Sequence, residues 1–287
     1  MFKKLISLKT FLLGHNLKQN SEQTATNSTP HSLKTIDVVI PAHKKDLEIL
    51  NHAIEGIRKN GSNVRRIIVV SKEKYTNKAE WFDESLYPFS YQEISELVNG
   101  NSVGWHFQQL LKLYSVLVIP NISENVLVLD ADTIFFKKVK FFSDDNLPLY
   151  NLAKDKNLDK SEFHQASLSH IKKVLPEIAE KLPKKFENIS GICHHMLFQK
   201  KLILELFSLV EKNDVDGDLF YKAFLKYRTK SHSIAEYNLY FYFLVALHPE
   251  AYKIRMLKYK NTADTRFWKY LLFRKYHYCS FHSYMRK

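Results

Sequence analysis

Asp130-Ala131-Asp132 follows the apolar run Val126-Leu127-Val128-Leu129 and precedes Thr133-Ile134-Phe135-Phe136, so two carboxylates interrupt a segment that otherwise reads as a buried strand. Unpaired charge beside a core is costly, and a divalent cation would neutralise it. In an extended chain, residues i and i+2 point to the same side, which would let Asp130 and Asp132 address one ion. Hard oxygen donors suit Mg²⁺ or Mn²⁺. The competing reading is a solvated strand-to-loop turn, where Asp is common.

Cys193-His194-His195 sets three borderline ligands in a row, and consecutive residues do not easily converge on one zinc. His194 and His195 are then polar groups facing a ligand after the Ser190-Gly191 turn, or hydrogen-bonded strand histidines. Asp214-Val215-Asp216-Gly217-Asp218 imitates a calcium loop, but Leu219 stands at its sixth position and Leu225 at its twelfth, where Gly and Glu are needed. A solvated loop capping a helix is expected instead. Glu236 closes Ser233-Ile234-Ala235-Glu236, the order of a capping box, so a structural role competes with catalysis. His282, in Ser280-Phe281-His282-Ser283-Tyr284, offers an imidazole as an additional metal ligand. With seven glycines and neither GxGxxG nor a Walker sequence, P-loop NTPases and Rossmann dehydrogenases are disfavoured.

The elements that must position these residues alternate. Thr35–Pro41 and Arg66–Ser71 are β-branched runs read as buried strands. Between them Leu47, Leu50, Ile54 and Ile57 are spaced as one helix face over 44–59. Gly104–Tyr114 reads as a helix with Phe107, Leu110, Leu111 and Tyr114 on its buried face and Gln108, Gln109 and Lys112 elsewhere. Val126–Phe136 is the strand carrying the acids. A helix is expected over 168–182 ending at Pro183, a loop entering a strand over 189–198, and helices over 201–212, 220–227 and 235–247. The β-α-β start implies a parallel sheet covered by helices.

The 287 residues can bury a full core. Two cysteines argue against a disulfide framework and for a reducing compartment, with cytoplasm as the default. The net charge of +13 is confined to the ends: residues 1–35 carry five Lys and one Glu, and residues 251–287 carry ten Lys plus Arg against one Asp, so the stretch between is neutral. Basic ends on a neutral body suit peripheral attachment to something anionic, such as phospholipid headgroups, an acidic glycan or nucleic acid. The aromatics Trp268, Tyr270, Phe273, Tyr276 and Tyr278 among the C-terminal cations suit a membrane surface, or a partly packed helix. Residues 1–14 are basic and apolar, too short to span a bilayer. Residues 15–34 are polar and read as a linker.

PAHKKD, GWHFQQLLKLYS, VLVLDADTIFF, SGICHHMLFQKK, AEYNLY and FHSYM, in that order, resemble a largely uncharacterised bacterial and viral family of GT-A-type nucleotide-sugar glycosyltransferases. More distantly they resemble the glycogenin and lipopolysaccharide galactosyltransferase family. The resemblance covers residues 36–285. It implies an α/β GT-A (Rossmann-like) fold with a mainly parallel central sheet and helices on both faces. Residues 1–34 would be a basic N-terminal segment and linker, and 35–287 a single catalytic domain ending in the basic aromatic segment.

The activity implied is metal-dependent transfer of a sugar from a nucleotide-sugar, with a UDP-sugar expected, to a hydroxyl of a glycan or lipid-linked acceptor. Mn²⁺ or Mg²⁺ would be held by Asp130, Asp132 and His282, with Asp130 also near the ribose. Pro41, Ala42 and His43 would line the base pocket, and Gln109 and Lys112 would face donor phosphate or sugar. Ser190, Gly191, His194 and His195 would border the acceptor, and Glu236 would be the acid near the reacting carbon. Two departures from the galactosyltransferase family leave retention or inversion open: Ala235-Glu236 stands where that family has Asp-Gln, and its C-terminal HxxGxxK segment is not reproduced. The rival readings are a sugar nucleotidyltransferase, which normally shows a glycine-rich N-terminal loop, and a basic nucleic-acid-binding protein without activity. Under the transferase reading no nucleic acid is expected.

Overall fold

A computed structural model describes residues 34–153, 158–228, 234–263, 270–282 and 285. Residues 1–33, Ser233 of the capping-box motif and Trp268 lie outside them.

The fold is mixed α/β. The runs read as strands form β1 (Ile36–Pro41), β2 (Val64–Ser71) and β4 (Asn125–Leu129). β1 and β4 are buried along their whole length, and β2 over Ile67–Ser71, as strands covered on both faces are. With β3 (Glu80–Asp83) and β7 (His195–Gln199) they build one sheet in the order β3-β2-β1-β4-β7. The first four are parallel and β7 runs antiparallel to β4.

α1 (Leu47–Asn60) leads from β1 to β2, burying Leu50, Ile54 and Ile57 but leaving Leu47 44% exposed. After α2 (Tyr91–Leu97), α3 (Val103–Val118) leads back to β4 on the other side of β1. Right-handed crossovers in opposite directions put α1 and α3 on opposite faces of the sheet. They also make the gap between the carboxyl ends of β1 and β4 the point where strand order reverses, the crevice in which open α/β sheets bind ligands.

Three expectations need correction. The segment 126–136 is not one strand: the chain turns at the acids, where the Thr133 N–H returns to Asp130 O at 3.0 Å, and β5 (Thr133–Phe135) joins a different sheet. The helix expected over 168–182 is two, α4 (Glu162–Val174) and α5 (Pro176–Lys181), because Pro176 lacks the N–H that would continue α4. α3 buries Gln109 and Lys112 along with its apolar face, since it is enclosed by the sheet and by α8 (Glu236–Leu247), whose residues 236–245 are all buried.

The C-terminal segment supplies strands. β10 (Tyr278–Phe281) lies antiparallel to β5 and parallel to β9 (Tyr259–Thr262). Of the aromatics read there as a membrane-facing group, Phe273 and Tyr278 are core residues, and Tyr259 and Tyr278 stack at 5.0 Å. β6 (Leu149–Asn151) pairs with β8 (Lys253–Arg255), and α6 (Lys200–Asn213) and α7 (Phe220–Lys226) complete the helical layer beside α3 and β7. No helix among the described residues is long and apolar enough to cross a membrane.

Candidate active site

At the crevice between β1 and β4, three chain segments deliver charge to one place. Lys112 on α3 is 5% exposed, and its ammonium donates to Asp130 Oδ1 and to Glu236 Oε1, both at 2.6 Å. Tyr237 adds its hydroxyl to Asp130 Oδ1 at 3.0 Å and lays its ring 4.3 Å from the Lys112 ammonium, a cation–π contact strengthened by desolvation. His194 Nδ1 lies 3.4 Å from Asp130 Oδ2. Burial acts to lower the Lys112 pKa, but the two carboxylates outweigh it and hold the lysine above its ordinary value. Burial likewise acts to raise Asp130, and the Lys112 charge, with help from His194, drives it well below the usual carboxylate range. Lys112 and Asp130 are therefore both ionised at neutral pH.

Each member is held by local structure. Glu236 is the first residue of α8, where a negative charge complements the helix dipole. Ala235, not Ser233, stands at the helix cap, so the capping box is not what Glu236 does. The Gln109 side chain takes over capping: it accepts the Glu236 N–H at 3.0 Å and donates to Ile234 O at 3.0 Å. His194 has φ +65°, a left-handed backbone that histidine adopts at a cost. There its carbonyl accepts the Asp130 N–H at 3.0 Å.

Asp132 and His282 meet because β10 pairs with β5. The buried Thr133 and Ser280 hydroxyls lock that register at 2.7 Å, and the Phe281 N–H reaches Asp132 O at 2.9 Å. His282 Nδ1 is then 3.2 Å from Asp132 Oδ2, and the His282 ring lies 4.7 Å from that of His194. At the end of β1, His43 caps a short turn, its N–H bound to Asp46 Oδ2 at 3.0 Å. Burial raises the Asp46 pKa against the His43 N–H and the Lys45 charge, and the nearby Asp132 charge adds to the rise. Pro41 and Ala42 are buried beside this turn, and His43 is exposed.

The fit to a divalent cation differs between the two aspartates. Asp132 Oδ1 is buried with no hydrogen-bond partner, a state native proteins rarely tolerate without an ion or water. With the His282 imidazole beside it, Asp132 fits Mn²⁺ or Mg²⁺. Both Asp130 oxygens are already engaged by Lys112, Tyr237 and His194, so Asp130 fits as an acceptor for Lys112 better than as a metal ligand. Among the described residues, the three acids whose oxygens converge within 4.8 Å are instead Asp214, Asp216 and Asp218. The Lys226 ammonium sits among them, 2.9 Å from Asp214 and 3.7 Å from Asp218 and bonded to Asp216. A built-in cation thus occupies the imitation calcium loop.

Three expected site residues are engaged within the packed chain. His195 is buried on β7 with its Nδ1 2.9 Å from Cys193 O and its ring edge-on to Phe135 and Tyr278. Burial, with the Arg255 charge, lowers its pKa to about 3, so it is a neutral core histidine. The Ser190 hydroxyl is spent on Asn238 Oδ1 at 3.1 Å, which also accepts the Gly191 N–H at 2.9 Å. At Gly191 a Cβ would meet Phe241 Cβ at 2.6 Å, so glycine there lets the loop lie against α8. Tyr237, Asn238 and Asp46 were missed by sequence reasoning. AEYNLY placed the first two beside Glu236, but a tyrosine and an asparagine in an aromatic helix carry no signal of their own.

No family model matches the chain, and no curated protein matches it. Among solved structures, mouse xyloside xylosyltransferase 1 in its apo form is similar at 10% identity, covering 88% of this chain and 99% of that one, with a TM-score of 0.42.

Proposed function

We propose that the chain is a metal-dependent glycosyltransferase that moves a sugar from a nucleotide-sugar donor to a hydroxyl of a glycan or lipid-linked acceptor. The observation that carries this reading is the orphaned, buried Asp132 oxygen beside His282 at the point where the strand order of the sheet reverses. Such a crevice suits a nucleotide, and a carboxylate without a partner suits a cation that arrives with a diphosphate. The order of motifs shared with GT-A enzymes supports the same assignment.

In this reading Asp132 and His282 hold the metal, which when bound neutralises charge on the leaving diphosphate as a Lewis acid. The turn 41–46 borders the base. Lys112 keeps Asp130 ionised and holds the Glu236 carboxylate in place, and Tyr237 and His194 orient Asp130. Glu236, anchored at the start of α8, is the acid presented to the reacting sugar, as general base in an inverting reaction or as a stabilising or nucleophilic carboxylate in a retaining one. The anomeric configuration of the product, read by NMR, separates these roles.

The reading is tested by incubating the protein with a panel of nucleotide sugars and Mn²⁺ or Mg²⁺ and following donor hydrolysis for wild type and Asp132→Ala. Metal-dependent turnover that the substitution abolishes is expected. Equal turnover by both proteins, or no nucleotide binding with either metal, rejects it.

A further inference from the structure

The sheet of β5, β10 and β9 gathers cations that are far apart in the chain. Just past β5, the Lys137 ammonium donates to Lys275 O at 3.2 Å, and the Phe136 and Lys137 N–H groups reach His277 O at 2.8 and 3.3 Å. His277 Nδ1 accepts the Lys258 N–H at 3.0 Å, and the His277 N–H donates to Lys258 O at 2.7 Å. The Lys258 and Lys275 ammoniums lie 5.6 and 5.4 Å from the centre of one ring, that of Tyr276, and the Lys260 ammonium lies 5.9 Å from the centre of the Phe273 ring. Lys137, Lys258, Lys260 and Lys275 are all exposed, as is Arg274 beside them. Among the described residues none of the five has a carboxylate within ion-pairing distance, whereas Lys140 and Lys253 nearby are paired with Asp144 and Asp145.

Aliphatic groups stand between these charges. Exposure alternates along 256–260, with Met256, Lys258 and Lys260 outward and Leu257 and Tyr259 inward, as side chains of an extended segment do. Met256 is 59% exposed, and Leu272, in the short helix α9 (Tyr270–Phe273), is 61% exposed. The rings lie beneath the lysines: Phe273 is buried and Tyr276 half-buried. Ammoniums grouped without counter-charges complement an anionic surface. Single-stranded nucleic acid would stack its bases on outward aromatic rings, whereas aliphatic side chains among cations match anionic headgroups lying over acyl chains.

We infer that this face docks the protein on an anionic phospholipid membrane, with the lysines on headgroup phosphates and Met256 and Leu272 among the upper acyl chains. Docking of this kind does not depend on the transferase reading. It is tested by sedimenting the full chain with sucrose-loaded vesicles of phosphatidylcholine alone and of phosphatidylcholine and phosphatidylglycerol in equal parts, in about 0.1 M and about 0.5 M NaCl.

Binding to the mixed vesicles that salt weakens, and none to phosphatidylcholine alone, is expected. Each lysine at such a surface raises affinity about fivefold, so Lys258→Gln with Lys260→Gln and Lys275→Gln should weaken binding on the order of 100-fold. The same three positions changed to Arg keep the charge and should bind as wild type. Met256→Gln with Leu272→Gln keeps every charge and should weaken binding several-fold at both salt concentrations. All five side chains are exposed, so the Tm of each variant should match that of wild type. Wild-type affinity in the Lys→Gln triple places attachment elsewhere in the chain and overturns the inference, as does wild-type affinity in the Met256, Leu272 double or equal binding to both kinds of vesicle. Retention on single-stranded DNA that the Lys→Gln triple abolishes, with no vesicle binding, assigns the face to nucleic acid and overturns it as well. Should the wild type bind the mixed vesicles while no nucleotide sugar is turned over, the membrane face stands and the transferase reading falls.

Discussion

Replacing Lys112 by Met keeps the length of the side chain and removes its charge. Asp130 and Glu236 then share a buried crevice with no ammonium between them; the Asp130 side chain is 21% exposed and that of Glu236 6%. Breaking a buried ion pair from one side costs about 3–5 kcal/mol, because the abandoned charge stays buried. At this chain length such a loss lowers Tm by roughly 10 °C.

The pH dependence gives the sharper test. In the wild type the Asp130 pKa is depressed in the folded state, so its contribution is complete above the unfolded value of about 4 and fades only as pH falls through the lower folded value. In Lys112→Met the Asp130 carboxylate loses its counter-charge and protonates more easily when folded, so acid relieves the variant. Urea unfolding at pH 7 and at pH 4.5 should show a deficit that is largest at pH 7 and shrinks at pH 4.5. Adding Asp130→Asn and Glu236→Gln to Lys112→Met should recover most of the loss. A single variant within about 1 kcal/mol of wild type at pH 7, or a deficit equal at both pH values, refutes the ion chain as the support of the site.

His282→Ala removes one donor beside Asp132 and should weaken Mn²⁺ binding by about 10–100-fold in titration calorimetry, with Asp132→Ala more severe. Gly191→Ala forces a Cβ to within 2.6 Å of Phe241 and should cost about 1–3 kcal/mol in denaturant unfolding, recovered in part by Phe241→Ala. Lys226→Met leaves the carboxylates of Asp214, Asp216 and Asp218 without their internal cation. Its Tm should then rise with added Ca²⁺, while that of the wild type stays unmoved. His195 is held neutral with its pKa lowered to about 3, so the unfolded chain binds a proton that the folded one refuses, and stability falls as pH drops from about 6.5 toward that value. His195→Phe should flatten this acid-side slope.

Periodicity located most of the frame. β1, β2, α1, α3, β7 and α8 were legible because a continuous β-branched run and a 3.6-residue apolar stripe are local signals. The short strands β3, β6, β8 and β9 were not, since three or four residues carry no period and gain their hydrogen bonds from distant partners. Pro176 was a readable break that the apolar spacing over 168–182 masked.

The sequence by itself determined the chemical inventory: two acids at a strand end, a lysine on the preceding helix, an acid opening an aromatic helix and a late histidine. It did not determine which acid does what. An extended chain would have aimed Asp130 and Asp132 at one ion, but the turn between them sends Asp130 to Lys112 and leaves Asp132 to His282. That division depends on pairing between residues 133–135 and 278–280 and on a lysine that meets a carboxylate 124 positions away. Likewise, nothing local separates His194 from His195. A left-handed residue before β7 turns one toward Asp130, and strand alternation buries the other among aromatic rings. Charge partners and burial are properties of the packed chain, and they are what turn a list of reactive side chains into a site.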